Sequence, residues 1–166
     1  ELTEEGNRLA TRVMRRHRLA ERLLTDVIGL DWEFVHAEAC RWEHVISETV
    51  ERRLLELPDH PTETPYVNPS TGLAELGQQD AGEEFMEGVS SLAEVAVEEE
   101  RRVNVRRISE EMQKDEDLMI AMRRVGALPG KTVTIVSTDD GVLVGSGGET
   151  AELSPEAAEH IFVRGA

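Results

Sequence analysis

The stretch HAEACRWEHV, residues 36–45, places two histidines, a cysteine and two glutamates within ten positions of an otherwise amphipathic run. On a helix each residue advances about 100°, so His36, Cys40, Glu43 and His44 fall on one face. HRLAE supplies a second pair, His17 and Glu21, at the four-residue spacing that makes helical neighbours. Two adjacent helices would then offer six candidate metal ligands. Thiolate is soft, imidazole intermediate and carboxylate hard, and that mixture suits late first-row divalent ions. A closed zinc site would normally use four Cys or His ligands, and magnesium or calcium would prefer oxygen alone. Taken singly, each feature has an ordinary explanation. HxxxE is a common surface pair, a lone cysteine is a common small buried group, and Glu43-His44 could be a solvated edge. The residue types leave a metal site and these plainer readings both open.

The elements that must position these groups are legible from caps and periodicity. Thr3 is placed to cap a helix whose apolar residues Leu9, Val13, Ala20, Leu23, Leu24, Val27 and Ile28 recur at helical spacing, with Gly29 as its stop. Asp31 is placed to cap a second helix running through Trp32, Val35, Ala39, Trp42 and Val45. Ser47 offers a cap for a third, ETVERRLLEL, which Pro58 ends. PDHPTETPYVNPSTG, with four prolines, must be an irregular connection. Residues 75–100 carry nine acidic groups and no basic one, and the first half of that run reads as a mobile linker. Beyond residue 89, LAEVAV and VNVRRI alternate as strands do. QKDEDLMIAMRRVG reads as a short helix closed by Gly126. KTVTIVSTDDGVLVGSGG reads as a hairpin turning at Asp140-Gly141. Ser154 and Pro155 open a short helix, and HIFVR makes a last strand.

Composition narrows the function classes. The 166 residues carry a net charge of −16, and the first 57 carry −3 of it. Such a chain should not bind DNA tightly by itself, because nonspecific binding needs the opposite sign. Arg8, Arg12, Arg15, Arg16, Arg18 and Arg22 cluster on the first helix, as a solvated face or an anion or partner contact. No apolar run approaches a membrane span, so no membrane partner is expected. The single cysteine excludes an internal disulfide and suits a reducing cytoplasm. The opening ELTEEG, without methionine or leader, reads as the start of a piece of something longer. Trp32, Trp42, Val45, Leu54 and Leu55 supply more apolar surface than three short helices need, which predicts a homodimer.

The run from Arg12 to Leu54, with HRLAE and EACRWEH, closely resembles the diphtheria-toxin-repressor family of iron-dependent bacterial regulators. NPSTGLAELG continues the likeness, which extends more loosely to the C-terminus. The resemblance implies an α+β protein. A helical metal-binding and dimerisation domain, residues 1–72, is followed by an acidic linker, 73–88, and a Src-homology-3-like (FeoA-like) barrel, 89–166. The family's winged helix, which reads operator DNA, would precede Glu1. The resemblance also implies two metal sites. The primary one matches Cys40, Glu43 and His44, together with a methionine of the winged helix. The ancillary one matches His17, Glu21 and His36, completed from the barrel by Glu110 and Gln113 of SEEMQ. An anion would lie beside it on Arg18, Thr64 and Asn68, where Thr64 replaces the serine of the family pattern. Ferrous iron is the implied effector, with cobalt, nickel, zinc or manganese as substitutes. Cys40 favours the iron type over manganese-responsive relatives, which carry a carboxylate there. Two rivals from other classes are a metallohydrolase with Glu21 or Glu43 as general base, and a metal-independent dimerisation adaptor.

Overall fold

The computed structural model describes residues 3–56, 64–68 and 87–165. They divide into a helical unit, ending at residue 65, and a β unit, to which residues 66–68 belong with everything from residue 87 on. Most of the expected acidic linker lies outside the described residues. Its last two, Glu87 and Gly88, accept hydrogen bonds from Arg164 through their carbonyls, at 2.6 and 3.3 Å.

In the helical unit, α1 spans Glu4–Arg22, and the Thr3 hydroxyl caps it by accepting from the Gly6 N–H at 3.1 Å. The expected single helix does continue to Ile28, but its last stretch, Leu23–Ile28, widens into a π-helix. Gly29 ends it in the left-handed region, φ 73°, which other residues resist. α2 covers Trp32–Trp42 and α3 covers Glu48–Leu54. Ser47 caps α3 through the Val50 N–H, whereas Asp31 sits at the N-cap of α2 without a side-chain capping bond. Leu19, Leu54 and Leu55 form a small buried cluster with Leu23 against it. Leu54 and Leu55 are therefore spent inside the unit rather than offered to a partner. Val45 remains exposed at 78%, and Leu9 and Val50 are exposed too.

The β unit is a six-stranded antiparallel sheet in the order β1-β6-β2-β3-β4-β5. The strands are β1 (Ser90–Ser91), β2 (Arg101–Ile108), β3 (Thr132–Ser137), β4 (Val142–Ser146), β5 (Glu149–Leu153) and β6 (Ile161–Gly165). The β3–β4 hairpin turns where expected, and a Cβ on Gly141 would lie 2.0 Å from the Leu153 carbonyl oxygen. Two elements differ from the sequence reading. LAEVAV is not a strand: Leu92–Val95 is a helical turn, α4, closed by a reciprocal cap between Ser91 and Glu94. That local S-x-x-E pairing outweighs the alternating pattern. β5 was hidden by the glycines before it, since Gly147 and Gly148 both take positive φ and turn a second hairpin. α6 (Pro155–Glu159) forms as expected, whereas the helix expected from Gln113 begins only at Glu116, as α5 (Glu116–Arg124), because Asp115 is extended and caps it, leaving Met112–Lys114 a separate 3-10 turn. Val103, Val105, Val133, Ile135, Val144, Ile161 and Val163 fill the core.

Candidate metal centre

α1 brings His17 and Glu21 to the same face, and α2 brings His36 and Cys40 to the face it presents to α1. The meeting is close. His17 Nε2 lies 3.0 Å from Glu21 Oε1 and 3.1 Å from His36 Nδ1, and His36 Nδ1 is 3.4 Å from the same carboxylate oxygen. The other nitrogen of His36 faces Cys40 Sγ at 3.6 Å. One ligand atom each from His17, His36 and Cys40 lies within 4.8 Å of the others. His17, Glu21 and His36 are buried, while Cys40 is exposed at the rim.

Glu43 closes the arrangement from the end of α2. The helix stops at Trp42, one turn short of the expected Val45, and Glu43 is its C-cap. This early stop divides the predicted stripe. Glu43 Oε2 turns inward to accept from His17 Nδ1 at 2.8 Å, and Glu43 Oε1 meets His44 Nε2 at 3.2 Å. His44 itself is 68% exposed and touches the cluster through Glu43 only, among the contacts described.

Burial works to lower the His17 pKa, but hydrogen bonds and charge from Glu21 and then Glu43 outweigh it, and the net shift is upward. The protonated ring, which would donate one N–H to each carboxylate, is stabilised relative to a free imidazole. A proton held there would fill the electrostatic role that a cation would fill. Glu21 Oε2 is buried with no hydrogen-bond partner, an arrangement that costs free energy unless something positive takes it up. Two imidazoles and a thiol close together, with the Glu21 and Glu43 carboxylates bonded to His17, fit a divalent transition metal. Displacing the His17 proton would be part of binding one.

The remaining predicted residues are distributed between the units. Arg18 (half-buried) and Thr64 (buried) belong to the helical unit. Asn68, Glu110 and Gln113 belong to the β unit, where Asn68 and Gln113 are buried at 1% and 2%. Gln113 Nε2 donates to the Ile108 carbonyl at 2.9 Å, and its Oε1 is buried without a partner.

The arginine cluster is not simply a solvated face. Arg15 is buried and its Nε donates to Glu51 at 2.9 Å, with Arg16 Nε 3.3 Å from the other oxygen of that carboxylate. Arg22 pairs with Asp26, and Arg8 with Glu5. Glu51, 0% exposed, thereby fastens α3 to α1 two residues from His17. The sequence contained no signal singling out Glu51 from the other glutamates of ETVERRLLEL.

Residues 3–72 match the family described as the iron dependent repressor, metal binding and dimerisation domain. Residues 91–165 match the FeoA domain. Over 165 residues the chain is 46% identical to the iron-dependent repressor IdeR of Mycobacterium bovis, covering 98% of this chain and 72% of that relative. The chain belongs to the diphtheria-toxin-repressor family of metal-dependent repressors. The diphtheria toxin repressor of Corynebacterium efficiens is 42% identical over 163 residues, 98% of this chain and 70% of its own. Among solved structures, the manganese complex of a manganese-dependent transcriptional repressor superposes with a TM-score of 0.75 at 26% identity. That match covers 100% of this chain and 75% of the other. IdeR of T. acidophilum gives a TM-score of 0.72 at 28% identity, covering 100% and 72%. The α+β class and the Src-homology-3-like character of the β unit follow from this family membership. Among the described residues no helix is long and apolar enough to cross a membrane.

Proposed function

We propose that this chain is the metal-sensing and dimerisation portion of an iron-dependent transcriptional repressor. The observation that carries the reading is the convergence of His17, His36 and Cys40, with the buried Glu21 carboxylate against both histidines through Oε1 and its Oε2 left without a partner. In this reading His17, Glu21 and His36 hold one ion, completed by Glu110 and Gln113, with an anion on Arg18, Thr64 and Asn68. Cys40, Glu43 and His44 belong to a second site. Ferrous iron held by these residues would supply positive charge in place of the His17 proton and would tie α1 to α2. Cys40 favours iron over a harder ion, and so do relatives named as iron-dependent at more than 40% identity.

The exposed Val45, Leu9 and Val50 support a two-fold homodimer. Operator DNA would be contacted by a winged helix of the longer protein in the cytoplasm, and metal would shift the population toward the operator-binding form. A manganese-responsive regulator is the second reading. It draws on the Glu43–His17 contact, which adds a hard donor to the cluster. A metallohydrolase would need a water held open on the ion, whereas a sensor saturates its ligands.

Anaerobic calorimetry with ferrous iron and manganese, on the intact chain and on Cys40→Ser, tests the proposal. Iron should occupy two classes of site, and Cys40→Ser should weaken one of them while the His17 site persists. Equal loss from both sites would contradict the two-site assignment. Preferential manganese binding that survives Cys40→Ser would favour the second reading. Light scattering at tens of micromolar with metal present should give the dimer mass.

A further inference from the structure

Residues 66–68 fold with the β unit although they stand apart from it in sequence. The attachment runs through Ile108, the last residue of β2. Its N–H donates to the Tyr66 carbonyl at 3.2 Å, and its own carbonyl accepts two side-chain amides. These are Asn68 Nδ2 at 2.8 Å and Gln113 Nε2 at 2.9 Å. Tyr66 and Asn68 are buried at 0% and 1%, and between them Val67 takes a φ of 61°. A β-branched residue resists that left-handed conformation, so the flanking contacts must hold it there.

The orientation of the Asn68 amide is fixed at both ends. Its Oδ1 accepts from Arg107 Nε at 2.6 Å, and the Arg107 guanidinium lies over the Phe162 ring, 5.0 Å from the centroid. Gln113 is fixed at one end only. With its nitrogen committed to the Ile108 carbonyl, its oxygen is left buried and without a hydrogen-bond partner. A buried amide oxygen in that state is poised to accept a donor or a cation.

We infer that Asn68 is a positioning residue for Gln113. By sharing the Ile108 carbonyl it holds the Gln113 amide with its nitrogen inward and its oxygen offered as a metal ligand. This rests on Gln113 being a ligand. With Asn68 truncated, Ile108 keeps its pairing with β6, but its carbonyl loses one of its two amide donors, and the Gln113 amide can turn over.

A double-mutant cycle on the full chain, titrated with Co2+ by calorimetry, tests this. Gln113→Ala should weaken one site, and Asn68→Ala should weaken the same site about tenfold, as outer-shell partners of metal ligands do. In the Gln113→Ala background, Asn68→Ala should cost nothing further, because its effect passes through Gln113. In the metal-free protein, nuclear magnetic resonance should show faster exchange of the Gln113 side-chain N–H protons in Asn68→Ala. Additive losses would overturn the positioning role and leave Gln113 a ligand. So would an inert Asn68→Ala beside an effective Gln113→Ala. An inert Gln113→Ala would remove the ligand reading and this inference with it. If Asn68→Ala fails to fold, Asn68→Asp keeps the acceptor for Arg107, loses the donor, and decides the same comparison.

Discussion

The two units are held together by different physics. Among the described residues the helical unit buries eight apolar side chains and seven polar or charged ones: Arg15, His17, Glu21, Glu33, His36, Glu51 and Thr64. The β unit buries nineteen apolar side chains and three polar ones, Asn68, Ser91 and Gln113. Apolar burial is non-directional and needs no particular partner, so the β unit should be stable whatever the metal supply. Buried charge stabilises only while its partner is present and well placed. A region built that way responds strongly to one added cation, which is what a sensor requires. The π-helix that begins two residues after Glu21 adds to the contrast, since such irregular turns are often found at functional sites.

The largest test of this contrast is Glu51→Ala. It removes the carboxylate to which Arg15 donates and leaves a buried cation short of its counter-charge, a change worth about 3–5 kcal/mol. Thermal unfolding followed by circular dichroism should show the helical transition falling sharply with the β transition in place. A parallel drop in both would mean that the units do not unfold separately. Next comes metal itself. At a hundredfold excess of ferrous iron or cobalt over its dissociation constant, the unit that binds it should gain about 2.7 kcal/mol. Calorimetric scanning with and without metal should find the larger share of that gain in the helical transition, and a smaller one in the β transition that carries Glu110 and Gln113. A gain in the β transition as large as the helical one would break the contrast.

A smaller effect is expected inside the sheet. Ile135 is fully buried, and Ile135→Val should destabilise the β unit by about 1 kcal/mol. Denaturant titration should give the same difference with and without metal. A metal-dependent difference would mean that the sheet core is part of the sensing. The smallest expected effect concerns His17 in the metal-free protein. Its folded pKa is raised, so the folded state holds a proton that the unfolded chain gives up more easily. That contribution is fully present below the ordinary value of about 6.5 and is lost as pH rises through the raised folded value. The helical unit should accordingly be less stable at pH 8.5 than at pH 6, and His17→Gln should flatten the slope. Metal affinity should run the other way and rise with pH, because binding releases the proton.

Much of this was determined by the amino-acid sequence alone. Thr3, Ser47, Asp115 and Ser154 act at helix starts through their own side chains, and the Asp140-Gly141 turn is set by backbone sterics. His17 with Glu21, and His36 with Cys40, share faces because helical spacing allows nothing else. All of these are interactions within a few residues, and spacing carries their information. Contacts between distant segments do not leave that trace. That Glu43 turns inward while His44 points out depended on where α2 stops. That Arg15 is buried against Glu51 depended on how α3 packs on α1, thirty-six residues further along the chain. Asn68 meets Gln113 at one carbonyl because residues 66–68 return to the end of β2. Only the tertiary structure decided these, because a charged or amide side chain looks the same in sequence whether water or a buried partner satisfies it.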